Sequence, residues 1–399
     1  MLETAAPPRT LSPLATRVGA GPLIEPSDVR PSLPGFEVVA VLNPAAARVD
    51  DEFVLLLRVA ERASDHGSLP ADALTLDLGG AHPLLRPLAS GHRPDDVVPI
   101  ALLDPRRADP AVVVAYLPRD LPGLDTGDPR AVSLPHPVLG RRLVYLTQMS
   151  HLRVARSRDG INFRIDDAPA IAPASALEEY GCEDARATLI GDTWYITYVS
   201  VSRLGITTSL ATTRDFRTFS REGAMTLPDH KDVALFPEQL GGRFLALMRP
   251  MPSSFDHVLG MWIAVPDSRL PWGRYKPLVM PRHGRWDERH TGASTVPFRV
   301  PGGWLEIYHG VDGDGRYALG AVLLDGCDPS SVLRRSPEPI LVPELPFETH
   351  GFLPNVVYSC GHVALNDPSQ IRVYYGAADR CVGAADFSVK DIIDSLEPV

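Results

Sequence analysis

Apolar residues along this chain fall in short, β-branched and aromatic runs, and spacing at the helical period is scarce. Runs of this kind are "FVLLLR" from position 53, "WYITYV" from 194, "FLALMR" from 244, "WLEIYH" from 304 and "IRVYYG" from 371. Several follow a glycine turn, as in "GDTW", "GGRF" and "PGGW", and the pattern predicts strands joined by tight turns. Downstream of each run comes another strand and then an aspartate. The clearest cases are Asp159, Asp215 and Asp267, each followed by an aromatic (Phe163, Phe219, Trp272). Weaker echoes occur at Asp325 and Asp386. Successive aspartates are 56, 52, 58 and 61 residues apart. A unit of that length, repeated without helices, predicts an all-β, five-bladed β-propeller. The aspartates should accept backbone N–H bonds in turns, with the aromatics wedged between blades. Tyr374 and Tyr375, by alternation, should face the core and the channel in turn.

The first unit is stretched, because its early strand lies near 55 and its aspartate at 159. Residues 64–142, which include "GHRPDDVVPIALLDPRRADP" and the strand-like "PAVVVAYLP", therefore read as an ordered insertion in blade one. Residues 1–35 read as an irregular leader, 36–390 as the propeller and 391–399 as a tail.

Composition narrows the class. The 399 residues carry a net charge of −10, which disfavours nucleic acid as a partner. Forty prolines and 32 glycines suit a turn-rich all-β chain. No apolar run is long enough to cross a bilayer, and "MLETAAPPRT" lacks a signal-peptide pattern. Cys182, Cys327, Cys360 and Cys381 show no zinc or disulfide spacing, so the expected location is cytoplasmic. The histidines show no HxH or HExxH spacing, so no metal is expected.

In a propeller the innermost strands line a central channel. Polar residues near their starts (Asn43, Arg58, Asp184, Arg186, Lys231, Glu238, His309, Asp379) would gather there. Alternation along a strand means that Glu183 and Asp184 should not both face the channel. Taken alone, Glu183, Asp184 and Arg186 read as a structural ion-pair cluster.

The stretches "NPAAARVDDEFVLLLRV", "SHLRVARSRDGINF", "GCEDARATLIGDTWYITY", "KDVALFPEQLGGRFLALMRP", "GWLEIYHGVD" and "GFLPNVVYSCG…VYYGAAD" resemble, in order from about residue 36 to 390, the signatures of glycoside hydrolase family 130. The resemblance implies a five-bladed propeller that cleaves β-mannosides with inversion, by phosphorolysis or by hydrolysis, without a cofactor. It implies that Asp184 is the catalytic acid, protonating the glycosidic oxygen in part through a sugar hydroxyl, with Glu183 and Arg186 as its support. Asn43 and Arg58 match residues on the nucleophile side, and His309 and Asp379 match sugar contacts. Ala185 departs from the family's usual proline, which should loosen the turn while leaving the carboxylate in place.

Phosphorylases of the family hold phosphate with basic residues, one of which falls here on His290, with Lys231 as a second. A histidine near neutrality is a poorer phosphate clamp than lysine. The expectation is therefore an inverting hydrolase of short, preferably β-1,2-linked mannosides, with Glu288 or Glu238 as base. The alternatives are a phosphorylase that uses inorganic phosphate as co-substrate and releases mannose 1-phosphate, and a carbohydrate-binding propeller without activity. The partner is a small oligosaccharide, and a homo-oligomer stays open.

Overall fold

The computed structural model describes residues 14–64, 68–80, 83–104, 111–136, 138, 140, 142–240, 242–252, 258–266 and 273–399. Asp267 and Trp272, named above, lie outside these residues, as do 1–13 of the leader and 105–110 of the "DPRRADP" stretch.

The fold is all-β. Its strands group into successive antiparallel units. The first contains Phe36–Val49, Glu52–Ala63, Met149–Ser157 and Arg164–Ile165; the second contains Gly181–Ile190, Thr193–Ser202, Gly205–Thr213 and Ser220–Ala224. These two share one sheet through a parallel contact between Ser150 and Gly181. Gly181 has φ 126°, and a Cβ there would sit 2.8 Å from the Ser150 backbone, so only glycine lets the strands approach. The third unit runs His230–Leu235, Ala246–Pro250, Met261–Val265, Arg274–Val279. The fourth is built on His290–Ala293, Gly303–Val311, Tyr317–Asp325 and Val332–Arg335, and the fifth on Val357–Ala364, Gln370–Ala377 and Cys381–Ser388. Thr16–Arg17 adds an edge strand to the fifth unit, and Glu397–Pro398 adds one to the fourth.

Apolar clusters lie between consecutive units: Leu56 and Leu152 with Ile196, Val233 with Tyr195, Leu247 with Trp304, and Ile307 with Tyr375. A further cluster joins the fifth unit to the first through Tyr374, Val382, Leu55 and Leu57. Each unit is thus covered on both faces, which explains the near-continuous apolar strands. Each buried aliphatic side chain contributes about 1.5–3 kcal/mol. This packing corrects the expectation for Tyr374 and Tyr375. Both are fully buried, Tyr374 Oη donating to Gly160 O at 2.8 Å and Tyr375 Oη to Glu348 Oε1 at 2.7 Å. Neither reaches a channel, because the strand is sandwiched between two neighbours.

Asp159, Asp215 and Asp325 sit in turns, and the Oδ1 of each accepts two backbone N–H bonds at 2.8–3.0 Å. Phe163 packs edge-on against Tyr374 across the first and fifth units, with ring centres 5.8 Å apart. Asp386 departs from the pattern. It lies within a strand and takes a bidentate bond from its cross-strand partner Arg372, at 2.7 and 2.9 Å.

Between Glu52–Ala63 and Met149–Ser157 the chain builds two further sheets. Leu84–Pro87, Leu74–Asp77, Ala111–Pro118 and Val97–Asp104 form one, in that order, and Ala131–Pro135 with Arg142–Leu146 forms the other. Their shared core includes Ile100, Leu117, Leu134 and Tyr145, and it extends to Tyr180 and Val201 of the second unit. This segment is therefore anchored on the face of that unit. Among the described residues no helix is long and apolar enough to cross a membrane, and all four cysteines are free.

Candidate active site

The first strands of three successive units share one irregularity. The register of Gly181–Ile190 against its neighbour slips between Glu183 and Arg186, and Asp184 within the slip has φ 47°. Phe36–Val49 slips between Leu42 and Ala45, where Asn43 has φ 48°. His230–Leu235 slips between Lys231 and Ala234, where Asp232 has φ 57°. Asn and Asp tolerate the left-handed region better than other non-glycine residues, and a bulge re-aims the side chain it carries. Three successive units thus turn a short polar side chain out of its normal alternation.

The bulge overturns the expectation that Glu183 and Asp184 point to opposite faces. Arg58 forks between them, with Nη2 2.7 Å from Glu183 Oε1 and Nη1 3.1 Å from Asp184 Oδ1. Asn43 Nδ2 donates to the same Asp184 oxygen at 2.8 Å. Oδ2 of Asp184 takes no side-chain hydrogen bond among the described residues. Burial pushes the Glu183 carboxyl above the usual range; Arg58 opposes that rise and the neighbouring Asp184 adds to it. Burial works against the Arg58 charge, but Glu183 and Asp184 hold it firmly protonated.

A cavity of about 250 Å³ opens over this cluster. It is lined by Asn43, Arg58, Glu183, Asp184, Lys231 and Asp379 of the expected set. Lys231 enters no salt bridge or side-chain hydrogen bond among the described residues, although Glu183 and Asp232 are near enough to feel its charge.

Other expected site residues stand elsewhere. Arg186 is buried and turned away from the Asp184 carboxylate. It donates to Ser294 O at 2.9 Å and Ala293 O at 2.7 Å, and reaches only the backbone O of Asp184, at 3.3 Å. It ties the second unit to the fourth and does not line the cavity. His309 is fully buried, with Nδ1 3.3 Å from Ser294 Oγ and Nε2 3.8 Å from Asp232 Oδ2, so it is no cavity contact. Burial pushes its pKa well below the usual value, against the pull of Asp232. His290 packs edge-on to Tyr317 at 5.4 Å, and burial followed by the Arg249 and Lys231 charges lowers it to about 3. It is neutral at ordinary pH and stands behind the lining. Glu238 pairs with Arg299 at 2.7 Å on the outer surface, and that guanidinium lies over Trp304. Glu288 Oε2 accepts from Gly284 N at 2.9 Å within a turn. Neither glutamate reaches the cavity, because each is held by partners of its own.

Sequence reasoning missed Asp128, Arg130 and Gln148, which the segment between Glu52–Ala63 and Met149–Ser157 brings to the cavity wall, and Tyr317 and Tyr358. It also missed Asp232, a fully buried carboxylate that takes Arg249 Nε at 2.7 Å and Tyr358 Oη at 2.9 Å. Burial alone would raise its pKa, but the surrounding Arg249, Lys231, His309 and Arg186 hold it well below the usual range. The stretch "GDPRAVS" around Arg130 reads locally as a solvated turn, so no signal in it pointed here. Among the described residues no group of three or more His, Cys, Asp or Glu is arranged to hold a metal ion.

Comparison with known proteins identifies the family. Residues 141–398 match the family profile of glycoside hydrolase family 130, described as beta-1,4-mannooligosaccharide phosphorylase. The chain is 34% identical over 382 residues to a beta-1,2-mannobiose phosphorylase of Listeria innocua, covering 96% of this chain and 98% of that protein. It is 37% identical over 257 residues to a 1,2-beta-oligomannan phosphorylase of Thermoanaerobacter sp., covering 64% of this chain and 84% of that one. The solved complex of the Listeria innocua phosphorylase with beta-1,2-mannobiose superposes with a TM-score of 0.81 at 32% identity, over 96% of this chain and 98% of the other. With the profile matched over more than half its length and a relative matched almost end to end, this chain belongs to glycoside hydrolase family 130.

Proposed function

We propose that the protein is a β-mannoside phosphorylase that acts on short β-1,2-linked mannosides, and that its units form a five-bladed propeller over residues 36–390 with 64–142 inserted in the first blade. The observation that carries the reaction type is Lys231, a cation without an ion pair among the described residues, in the same cavity as Asp184. A phosphate dianion is the partner that such a cation fits. Hydrolysis needs a carboxylate placed to activate water; Glu238 and Glu288 are engaged elsewhere, and the cavity carboxylates Glu183 and Asp379 are paired with Arg58 and Arg130. The named relatives are phosphorylases, which supports the same choice over the hydrolase that a neutral His290 suggested.

In this reading the Asp184 carboxyl gives its proton towards the glycosidic oxygen. Phosphate, held by Lys231, attacks the anomeric carbon from the opposite face. The bond from that carbon to the glycosidic oxygen breaks, a bond to a phosphate oxygen forms, and the configuration inverts. Asn43 and Arg58 each place one hydrogen bond on Oδ1, which leaves Oδ2 to carry the proton. Asp379 contacts the sugar.

Incubating the protein with β-1,2-mannobiose, with and without inorganic phosphate, tests this. Mannose 1-phosphate and mannose should appear together, and only with phosphate. Free mannose formed equally in the absence of phosphate would establish the hydrolase instead. Binding without any product would leave the non-catalytic propeller.

A further inference from the structure

Burial falls off stepwise from the catalytic cluster to the cavity mouth. The Asp184 side chain is 10% exposed, Arg58 14%, Asp379 21%, Arg130 32% and Asp128 46%. Arg130 and Asp128 therefore stand at the rim. Arg130 is pre-oriented from its own segment: Asp128 accepts from its Nε at 3.1 Å, its Nη2 at 2.9 Å and its backbone N at 2.9 Å. That grip leaves Nη1 to reach across to Asp379 Oδ2 at 2.7 Å, a contact between residues 249 apart in the chain. Asp379 is itself held in a tight turn, with φ 51° following φ 47° at Ala378. Such strained positions persist where the surroundings fix them, often at functional sites. The contact thus joins two pre-set groups across the opening. The cavity that these two residues line, at about 250 Å³, is smaller than the roughly 300–1,000 Å³ typical of small-molecule sites, which suits a short saccharide.

We propose that Arg130, supplied by the inserted segment, is a specificity-determining residue that limits the length of the saccharide the site accepts. A sugar whose scissile bond lies at Asp184 extends its next ring towards the rim. There Arg130 donates and Asp379 accepts, a pairing matched to neighbouring hydroxyls of one ring. A further ring in that direction meets the Arg130–Asp379 bridge. The inference takes the sugar's identity from the phosphorylase reading, but the bridge itself is independent of reaction type.

The test compares kcat/KM for β-1,2-mannotriose and β-1,2-mannobiose in the unmodified protein, Arg130→Ala and Arg130→Lys, with phosphate present. The unmodified protein should favour the two-ring substrate. Arg130→Ala should raise the three-ring to two-ring ratio about tenfold, the weight of one charge-assisted hydrogen bond. Arg130→Lys, which keeps the charge but loses the fork, should fall between. A ratio that stays put while both rates fall would overturn the inference and leave Arg130 a general support. Calorimetric binding of the same two sugars to the same three proteins decides the point without turnover. If the unmodified protein turns over neither sugar, the phosphorylase reading fails while the binding ratio still judges Arg130. Correct folding of each variant is checked by its melting transition.

Discussion

Asn43 and Asp184 are 141 residues apart in the chain, yet the Asn43 Nδ2 donates to Asp184 Oδ1 at 2.8 Å, and both residues sit at left-handed φ in bulges of strands from the first and second units. Two local departures from regular pairing thus create one contact, and it orients the carboxyl proposed as the acid. Asp184→Asn keeps the size and a hydrogen-bonding oxygen but cannot deliver a proton. It should lower kcat by about 10²–10⁴-fold, the usual weight of a general acid, and leave mannobiose binding within a few-fold by calorimetry. Retained turnover would remove Asp184 from its role.

Lys231→Ala separates the two substrates. Losing a charge-assisted contact should raise KM for phosphate by about 10–100-fold and change KM for mannobiose little. Equal effects on both would mean that Lys231 does not hold the anion.

Gly376 underlies the Asn43 contact. A Cβ at this position would overlap Asn43 Oδ1 and come 2.9 Å from the Asn43 backbone N. Gly376→Ala should push Asn43 off Asp184, lower kcat by about tenfold or more, and cost about 1–3 kcal/mol of stability by overpacking. The readout is kcat together with the melting temperature. An unchanged kcat in a destabilised protein would show that the Asn43–Asp184 bond is dispensable.

Glu238→Gln and Glu288→Gln should leave kcat within about twofold. Glu238 belongs to an exposed pair worth about 0–1 kcal/mol. A large loss of activity in either variant, measured with the same assay, would restore that residue as a base.

Stability should fall as the solution is acidified. Burial and the adjacent Arg153 hold His151 at about 3, and burial with Arg249 and Lys231 holds His290 at about 3. Below the ordinary value of 6.5 the unfolded chain takes up protons that the folded protein refuses. The stability these groups support is therefore complete above pH 6.5 and is lost progressively down to about 3. At pH 5 the loss is about 2 kcal/mol for each. Glu306, whose pKa burial raises well above the usual value, works in the opposite sense. Melting temperatures from pH 7 to 5 should fall less steeply in His151→Gln than in the unmodified protein, and parallel slopes would show that His151 is not a source of the effect.

Much of the fold was legible in the sequence, because what sets it is local. Apolar runs bounded by glycine turns became strands, and Asp159, Asp215 and Asp325 became turn acceptors, since an aspartate can bond the next two or three backbone N–H groups by itself. Asp386 broke that pattern because its partner, Arg372, arrives from another strand. The site was legible as residue identities. Asn43, Arg58, Glu183, Asp184, Lys231 and Asp379 were all named from their stretches and do share one cavity.

The orientation of those side chains was not legible. Simple alternation put Glu183 and Asp184 on opposite faces, and a one-residue bulge, set by pairing with the next strand, put both on Arg58. His309 and Arg186, expected among the channel-facing polar residues, are buried against partners from other units. Arg130 carries no local mark at all, and its position depends on a segment docked over another unit through Tyr145 and Tyr180. By itself the sequence determined the strands, the turns and the stock of polar groups, because those follow from short-range sterics and hydrogen bonding. Only the tertiary structure decided which groups meet, since register shifts and burial are properties of strands and sheets packed against one another.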